Sequence, residues 1–194
     1  MPITAIHADL QAVLAGAWAL LERGVRERAQ GPAPIITVAT TGGDGAPRLR
    51  SVVLRAVSPV TSSLTFYTDV RSRKIGELTR DPRLAAHVWD PAEQVQLRLT
   101  GRVSVHAGDG LARAAWSALR PEGRQAYGIV PEPGTVIPAP DCFEIPEDDG
   151  ARFERFCVVV MTVQALETLH LGRGGQRRAL FTFGTEPAAV WLAP

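Results

Sequence analysis

The segment Phe66–Lys74 carries the residue types of an anion-binding site. It leaves a β-rich run and enters a short helical pattern, so Arg71, Arg73 and Lys74 stand at a predicted helix start. A helix start exposes unpaired backbone N–H groups and the positive end of the helix dipole, where cations are unfavourable unless an anion joins them. Arginine offers a phosphate a planar fork, and lysine offers a point charge. The segment fits a phosphate site; the alternative is a solvated basic turn.

Two further segments place polar side chains in apolar strand patterns. Arg50 and Arg55 end the run RSVVLR, and in a regular strand residues five apart point to opposite faces. If both arginines bind one ligand system, they must contact different parts of it, or a bulge must redirect one of them. The alternative is that both are charged residues at the rim of the strand. Gln96 alternates with leucines, and its amide fits the polar edge of a flat heterocycle. An ordinary outward-facing polar residue is the alternative for Gln96.

The elements that must position these residues are mostly short strands in hairpin order, which favours an antiparallel barrel over a doubly wound α/β sheet. A Pro/Gly-rich arm at about 128–150 is long for a compact domain and is typical of a lid or of an arm that reaches a partner. Gly101 predicts a bulge or sharp bend. Helices are predicted at about 5–30, 72–80 and 111–119, and strands at 35–40, 48–57, 64–68, 84–89, 95–105, 157–165, 167–171, 177–183 and 189–192.

Length and composition exclude several classes of protein. The 194 residues, with 45% hydrophobic and 21% charged residues, predict one globular domain spanning 1–194. A net charge of +1 gives no bulk attraction to nucleic acid or to a membrane. The two cysteines and four histidines show no metal-ligand spacing, so no metal is expected. The start of the chain lacks a signal-peptide pattern, and we expect a cytoplasmic location.

Taken together, these motifs resemble the pyridoxamine 5′-phosphate oxidase family of FMN-binding split barrels, and in particular its uncharacterised FMN-binding branch. The resemblance rests on RSVVLR at 50–55, FYT at 66–68, RSRK at 71–74, DPR at 81–83, Gln96 ahead of Gly101, and the LAP ending at 192–194. The motifs follow the family order over roughly residues 48–101 and more loosely beyond. The resemblance implies a mainly β, antiparallel split barrel with flanking helices, a homodimer, and FMN as the cofactor.

The resemblance also assigns roles to single residues. It gives the FMN phosphate to Arg50, Arg73 and Lys74, places Gln96 against the flavin ring, and puts Arg55 nearer the substrate. The whole set of cofactor-binding residues that it implies is Arg50, Val52, Val53, Leu54, Arg55, Tyr67, Thr68, Ser72, Arg73, Lys74, Gln96 and Arg177.

In the family a second subunit completes the pocket. The candidates for this reach are Gly134-Thr135 of the Pro-rich arm and, on a late strand, Arg177 or Arg178.

The departures from the family pattern concern the substrate. Where family oxidases grip a substrate phosphate with Tyr, Arg and Ser, the corresponding substrate-side residues here are Trp116, Arg120 and Arg124, and only the second matches. The late-strand His is replaced by Ala179, and the Arg before the LAP ending is replaced by Trp191. A site that loses its hydrogen-bonding partners loses much of its discrimination, so pyridoxamine phosphate is a doubtful substrate. Trp116 and Trp191 also fit core or dimer packing.

The function we expect is that of an FMN-dependent oxidoreductase that transfers a hydride from an unidentified small molecule to the flavin. One alternative enzyme is a nicotinamide-dependent flavin reductase. A non-catalytic flavin or haem binder on the same barrel is an alternative of another class. A third possibility is a dimeric interaction module that has lost its cofactor.

Overall fold

The computed structural model describes residues 9–26, 35–172 and 175–194. The predicted helix at 5–30 is present as Leu10–Arg26, and its outer residues lie outside the described ranges. The helices are α1 (Leu10–Arg26), α2 (Arg73–Arg80), α3 (Gly110–Ala118), α4 (Pro121–Arg124) and α5 (Asp149–Arg155). The strands are β1 (Ile35–Thr41), β2 (Pro47–Ser58), β3 (Ser63–Asp69), β4 (Arg83–Asp90), β5 (Val95–His106), β6 (Phe156–His170), β7 (Arg177–Thr182) and β8 (Ala188–Leu192). Among the described residues, no helix is both long and apolar enough to cross a membrane.

Six antiparallel strands close into the predicted barrel. Hydrogen-bonded neighbours follow the order β3-β2-β1-β4-β5-β6, and a further pairing of β3 with β6 closes the ring. The sheet continues beyond the barrel from β6 through β7 to β8. Closure removes the free edges that an open sheet would leave on β3 and β6. The fold is therefore mainly β, with helices on its outside.

One long strand, β6, replaces the two strands predicted at 157–165 and 167–171. The prediction of a break was wrong because β6 pairs with β5 along its whole length. The register of this pairing shifts at a bulge between Thr100 and Gly101, and the strand continues beyond it. Gly101 is required there, since an added Cβ would lie 2.0 Å from the carbonyl oxygen of Thr162. The apolar run at the start of β6 is buried on both faces, which explains why it reads as continuous rather than alternating.

Two apolar clusters hold the fold together. The larger fills the barrel and receives one face of α1, whose Trp18 ring lies 6.0 Å from that of Phe183. The smaller lies between α3 and the outer face of β6, around Trp116, Tyr127 and Phe156. Both clusters meet along β6, so this strand couples the barrel to the segment that follows β5.

The Pro-rich arm is tied to the body by arginines. Its two ends meet in a backbone bridge between Val130 and Glu144. Arg155 donates to the carbonyl of Gly128 at 3.1 Å, and Arg152 donates to that of Pro146 at 2.7 Å. The arm ends in α5. This helix was not predicted, because the high proline content of the stretch indicated a segment without regular structure.

Candidate functional site

A polar cleft of about 1000 Å³ opens where β3 gives way to α2. Its walls carry Arg50, Ser72, Arg73 and Lys74, all predicted to bind the cofactor, together with Glu77. The remaining lining residues are Gly43, Pro47, Arg48, Leu49, Gly76, Arg80, Pro133 and Gly134. The structure thus brings residues from β2, α2 and the Pro-rich arm to one concave surface of a single subunit.

Lys74 is a half-buried cation of this cleft. Its Nζ donates to the hydroxyl of Thr68 at 2.8 Å, and Ser72 lies 3.4 Å from the same hydroxyl. Burial, with the nearby guanidinium of Arg50 as the next cause, lowers the pKa of Lys74. Among the described residues no carboxylate forms an ion pair with Lys74, so its charge is poorly compensated by the protein itself.

No side chain of the described residues caps the start of α2, although the backbone N–H of Ile75 donates to the Ser72 carbonyl at 2.9 Å. Ser72 occupies the N-cap position, but its hydroxyl donates to the Asp69 carbonyl at 2.7 Å and does not cap the helix. Arg73 begins the helix, is exposed, and has no ion pair among the described residues. The tip of the arm lies close to it, since an added Cβ at Gly134 would be 3.6 Å from its Nε.

Arg50 is held in place by partners that the sequence did not reveal. Its Nη2 lies 2.7 Å from the carboxylate of Glu77, and its Nη1 donates to the hydroxyl of Thr40. The Thr40 hydroxyl donates in turn to Glu77 at 2.5 Å. Although burial raises the pKa of Glu77, the hydrogen bonds from Thr40 and Arg50 outweigh it, and the pKa is lowered. Glu77 therefore stays ionised and fixes the direction of the Arg50 side chain.

Arg71 does not take part in the cleft, contrary to the prediction of three cations at the helix start. Its guanidinium grips Asp69, with Nη2 to Oδ2 at 2.6 Å, and donates to the carbonyl of Ile129 at 3.0 Å. The physical reason is the carboxylate two residues earlier, which captures Arg71 and turns it toward the arm. Arg71 anchors the arm instead of binding an anion.

A bulge re-aims Arg55. The register of β2 against β3 shifts between Leu54 and Ala56, which places the extra residue at Arg55. Its guanidinium lies over the ring of Tyr67, 5.4 Å from the centroid. Its buried Nε has no hydrogen-bond partner among the described residues. Arg50 thus contacts Thr40 and Glu77, whereas Arg55 contacts Tyr67.

Other predicted residues lie away from the cleft. The side chains of Val52 and Leu54 are buried in the barrel core, which leaves Val53 and the main chain of β2 as the parts that a ligand could touch. Gln96 is half-buried on β5 opposite Trp89. Arg177 is exposed at the start of β7, opposite His170. One subunit does not bring Gln96 or Arg177 to the cleft.

Two of the predicted substrate-side residues, Trp116 and Arg124, form a separate corner outside the barrel. Trp116 is 6% exposed and packs against Phe156, with ring centroids 5.2 Å apart, so packing is an established role for it. Arg124 lies over the Trp116 ring at 5.1 Å and donates to Asp149 at 3.1 Å. Arg120 is exposed at the start of α4 and does not join them.

The residues of the cleft fit a phosphate ester. Five of the lining residues are basic and one is acidic, and Glu77 is already engaged with Arg50. Arg73, Lys74 and the start of α2 then offer donors and positive charge, and no carboxylate among the described residues forms an ion pair with either cation. Among the described residues, no group of His, Cys, Asp or Glu side chains is arranged to hold a metal ion.

Comparison with known proteins agrees with this chemistry. Residues 16–107 match the sequence model of the family described as pyridoxamine 5′-phosphate oxidase, FMN-binding domain. A pyridoxine/pyridoxamine 5′-phosphate oxidase of Chromohalobacter salexigens is 32% identical over 130 residues, which are 67% of this chain and 57% of that protein. A protein of the same name from Cupriavidus pinatubonensis is 33% identical over 115 residues, covering 59% of this chain and 52% of its own. The chain thus spans somewhat more than half the length of these relatives.

Two solved structures share the fold. A pyridoxamine 5′-phosphate oxidase-related, FMN-binding protein of Nostoc punctiforme superposes with a TM-score of 0.75 at 25% identity, covering 92% of this chain and 96% of its own. PhzG of Burkholderia lata, solved with tetrahydrophenazine-1-carboxylic acid, has a TM-score of 0.66 at 16% identity and covers 95% of this chain and 90% of its own. At that identity PhzG supports the fold alone.

The fold and the cleft define an FMN-binding split barrel. Residues 16–107 carry the FMN-binding domain of the pyridoxamine 5′-phosphate oxidase family, and FMN is the cofactor of that domain.

Proposed function

We propose that this protein is an FMN-dependent oxidoreductase that acts on a small molecule, with the FMN phosphate bound in the cleft at the start of α2. The observation that carries the proposal is the pair of cations Arg73 and Lys74, which face the cleft beside an uncapped helix start without a carboxylate partner among the described residues. A dianionic phosphate supplies the missing charge and accepts the open hydrogen bonds.

In this arrangement the residues divide the work of binding. Arg50, oriented by Glu77, and the cations Arg73 and Lys74 hold the phosphate, while Thr68 positions the Lys74 ammonium. FMN, when bound, supplies a ring that accepts a hydride from an organic molecule and passes electrons on to an acceptor. Tyr67, under the guanidinium of Arg55, offers an aromatic face beside the phosphate site.

We also propose that the protein works as a homodimer in which the partner completes the flavin pocket. Gln96 and Arg177 are expected to bind the cofactor, yet they do not line the cleft of their own subunit. The outer face of the sheet carries exposed apolar side chains, including Leu49 and Trp89, that a second subunit would cover. Gly134 lies against Arg73 of its own chain, so Arg177 is the stronger candidate for the reach.

The phosphate site is tested by the double substitution Arg73→Ala/Lys74→Ala. We expect FMN affinity, measured by flavin fluorescence on titrating apoprotein, to fall by a factor of about 100 or more, because two charge-assisted contacts are lost. The matched control is Arg83→Ala/Arg102→Ala, which removes the same charge from two exposed positions outside the cleft. Equal affinity of both variants for FMN would refute the phosphate site.

The oxidoreductase activity needs a separate experiment. Loaded protein is mixed anaerobically with pyridoxine phosphates, amines, aromatic carboxylic acids or nicotinamides, and bleaching of the flavin absorbance is followed. Reduction by an organic donor supports the proposal, whereas reduction by nicotinamides alone supports a flavin reductase. Tight FMN binding with no reduction by any donor class would favour a non-catalytic flavin binder.

A further inference from the structure

Two N–H donors outside the cleft converge on one oxygen of the protein's own chain. Nη1 of Arg124 lies 3.1 Å from Oδ2 of Asp149, and Nε1 of Trp116 lies 3.4 Å from the same oxygen. Nη2 of Arg124 also donates to the Trp116 carbonyl at 3.1 Å, which holds the guanidinium over the indole ring. A cationic donor and a neutral donor aimed at one point make an anion subsite. Asp149 fills it.

This corner is connected to the proposed flavin site by a chain of edge-on and tilted ring contacts. Trp116 packs on Phe156, and Phe156 lies 5.1 Å from Tyr67, measured between ring centroids. Arg55 covers the other side of Tyr67. The residue after Tyr67 is Thr68, which holds Lys74. A small molecule bound beside the aromatic cluster would therefore meet the corner at one end.

The position of Asp149 is set by the local backbone. It is the first residue of α5, whose N-cap Asp148 accepts a hydrogen bond from the backbone N–H of Ala151 at 3.0 Å. A carboxylate in the first turn is also favoured by the helix dipole. Because α5 runs directly into β6, its start cannot move away from Trp116 without disturbing a barrel strand.

We propose that Asp149 is a specificity-determining residue that occupies the anion subsite of Arg124 and Trp116 and thereby excludes phosphate esters. The charge of Arg124 is already compensated, and a phosphate dianion would meet a carboxylate at the point where the donors converge. The class of substrate that follows is a molecule with no phosphate at this end. The statement about substrate rests on the proposed function, whereas the occupancy of the subsite does not.

The experiment is a gain of binding. FMN-loaded protein is titrated with phenyl phosphate by calorimetry, with the cleft already filled by the cofactor. We expect Asp149→Ala to bind phenyl phosphate at least about tenfold more tightly than the wild type, because Arg124 is released. Asp149→Asn retains an oxygen acceptor without the charge, and its affinity should lie between the two. Adding Arg124→Ala to Asp149→Ala should abolish the gain.

The control is Asp141→Ala, which removes one negative charge from an exposed position in the arm. The proposal is overturned if Asp141→Ala gains as much affinity as Asp149→Ala, or if the gain survives the loss of Arg124. The titration is repeated in apoprotein carrying Arg73→Ala/Lys74→Ala, where the cleft lacks its cations. A gain there supports Asp149 even if the FMN site proves wrong, so the two proposals fail separately.

Discussion

Replacement of Lys74 by methionine should stabilise the empty protein and weaken cofactor binding at the same time. The ammonium of Lys74 is largely buried beside the guanidinium of Arg50, and no carboxylate among the described residues pairs with it. Methionine keeps the length and flexibility of the side chain without the charge. The two effects have one cause, because the charge that is costly in the empty cleft is the charge that a phosphate needs.

The size of each effect follows from the contacts. The substitution removes one hydrogen bond, from Lys74 to Thr68, which is worth about 1 kcal/mol, and the Thr68 hydroxyl keeps Ser72 as a neighbour. It also removes the desolvation of an ammonium and its repulsion by Arg50, which together outweigh one hydrogen bond. We expect the free energy of unfolding of the apoprotein to rise by about 1 kcal/mol, and FMN affinity to fall about 10- to 100-fold.

Urea unfolding of apoprotein gives the first quantity, and flavin fluorescence titration gives the second. The stability difference should also depend on pH. The pKa of Lys74 is lowered on folding, so the wild type bears the full cost of the charge below its folded-state pKa and recovers stability as the pH rises toward the usual 10.5. The advantage of Lys74→Met should therefore be larger at about pH 7 than at about pH 10.

The control for this prediction is Lys74→Arg, which keeps a cation in the cleft and should retain FMN binding better than methionine does. An apoprotein destabilised by Lys74→Met, combined with unchanged FMN affinity, would show that Lys74 is a structural residue and that the phosphate lies elsewhere.

Two further predictions concern the barrel itself. Gly101→Ala should lower the free energy of unfolding by about 3 kcal/mol or more, because the added Cβ would clash with the Thr162 carbonyl. Gly76→Ala in α2, where the added Cβ has open space, should raise the free energy of unfolding by about 0.5–1 kcal/mol. Urea unfolding measures both changes. The carboxylate of Glu167 pairs with Arg178 at 2.9 Å. Glu167→Gln should therefore lower the free energy of unfolding by about 1–3 kcal/mol. Burial raises the pKa of Glu167, but hydrogen bonds from arginines outweigh it and lower the pKa. The stabilisation that the Glu167 carboxylate provides is thus fully present above the usual pKa of 4.5 and is lost as the pH falls through the folded-state pKa. The wild type and Glu167→Gln should therefore converge in stability in acid.

Much of the fold could be predicted from local sequence. Most strands could be located from alternating apolar residues. The helix start within Phe66–Lys74 was found because a β-rich run changes there into a helical pattern. The length of β6 was misjudged because local sequence does not show that a bulge in its pairing with β5 lets the strand continue past Ala165. The helix α5 was missed because the neighbouring prolines dominated the composition of the arm.

The candidate site divides in the same way. Arg73 and Lys74 were predicted from residue type and position, since a helix start beside clustered cations is a local property, whereas the phosphate role of Arg50 came from the family resemblance. The partners Thr40 and Glu77 were not predicted, because Thr40 is brought to Arg50 by strand pairing and Glu77 by the folding of α2 over β1. Asp149 likewise contacts Arg124 only because the fold joins two positions that are 25 apart in the sequence.

The sequence alone determined which side chains were available to bind an anion and that a β-barrel would carry them. The tertiary structure decided which of those charges stay available. Asp69 pairs with Arg71, Asp149 pairs with Arg124, and Arg55 lies at a bulge beside Tyr67, whereas Lys74 and Arg73 have no ion-pair partner among the described residues. The physical reason is that local patterns record the type and spacing of charges, but the compensation of a charge depends on which residues the fold brings within a few ångströms of it.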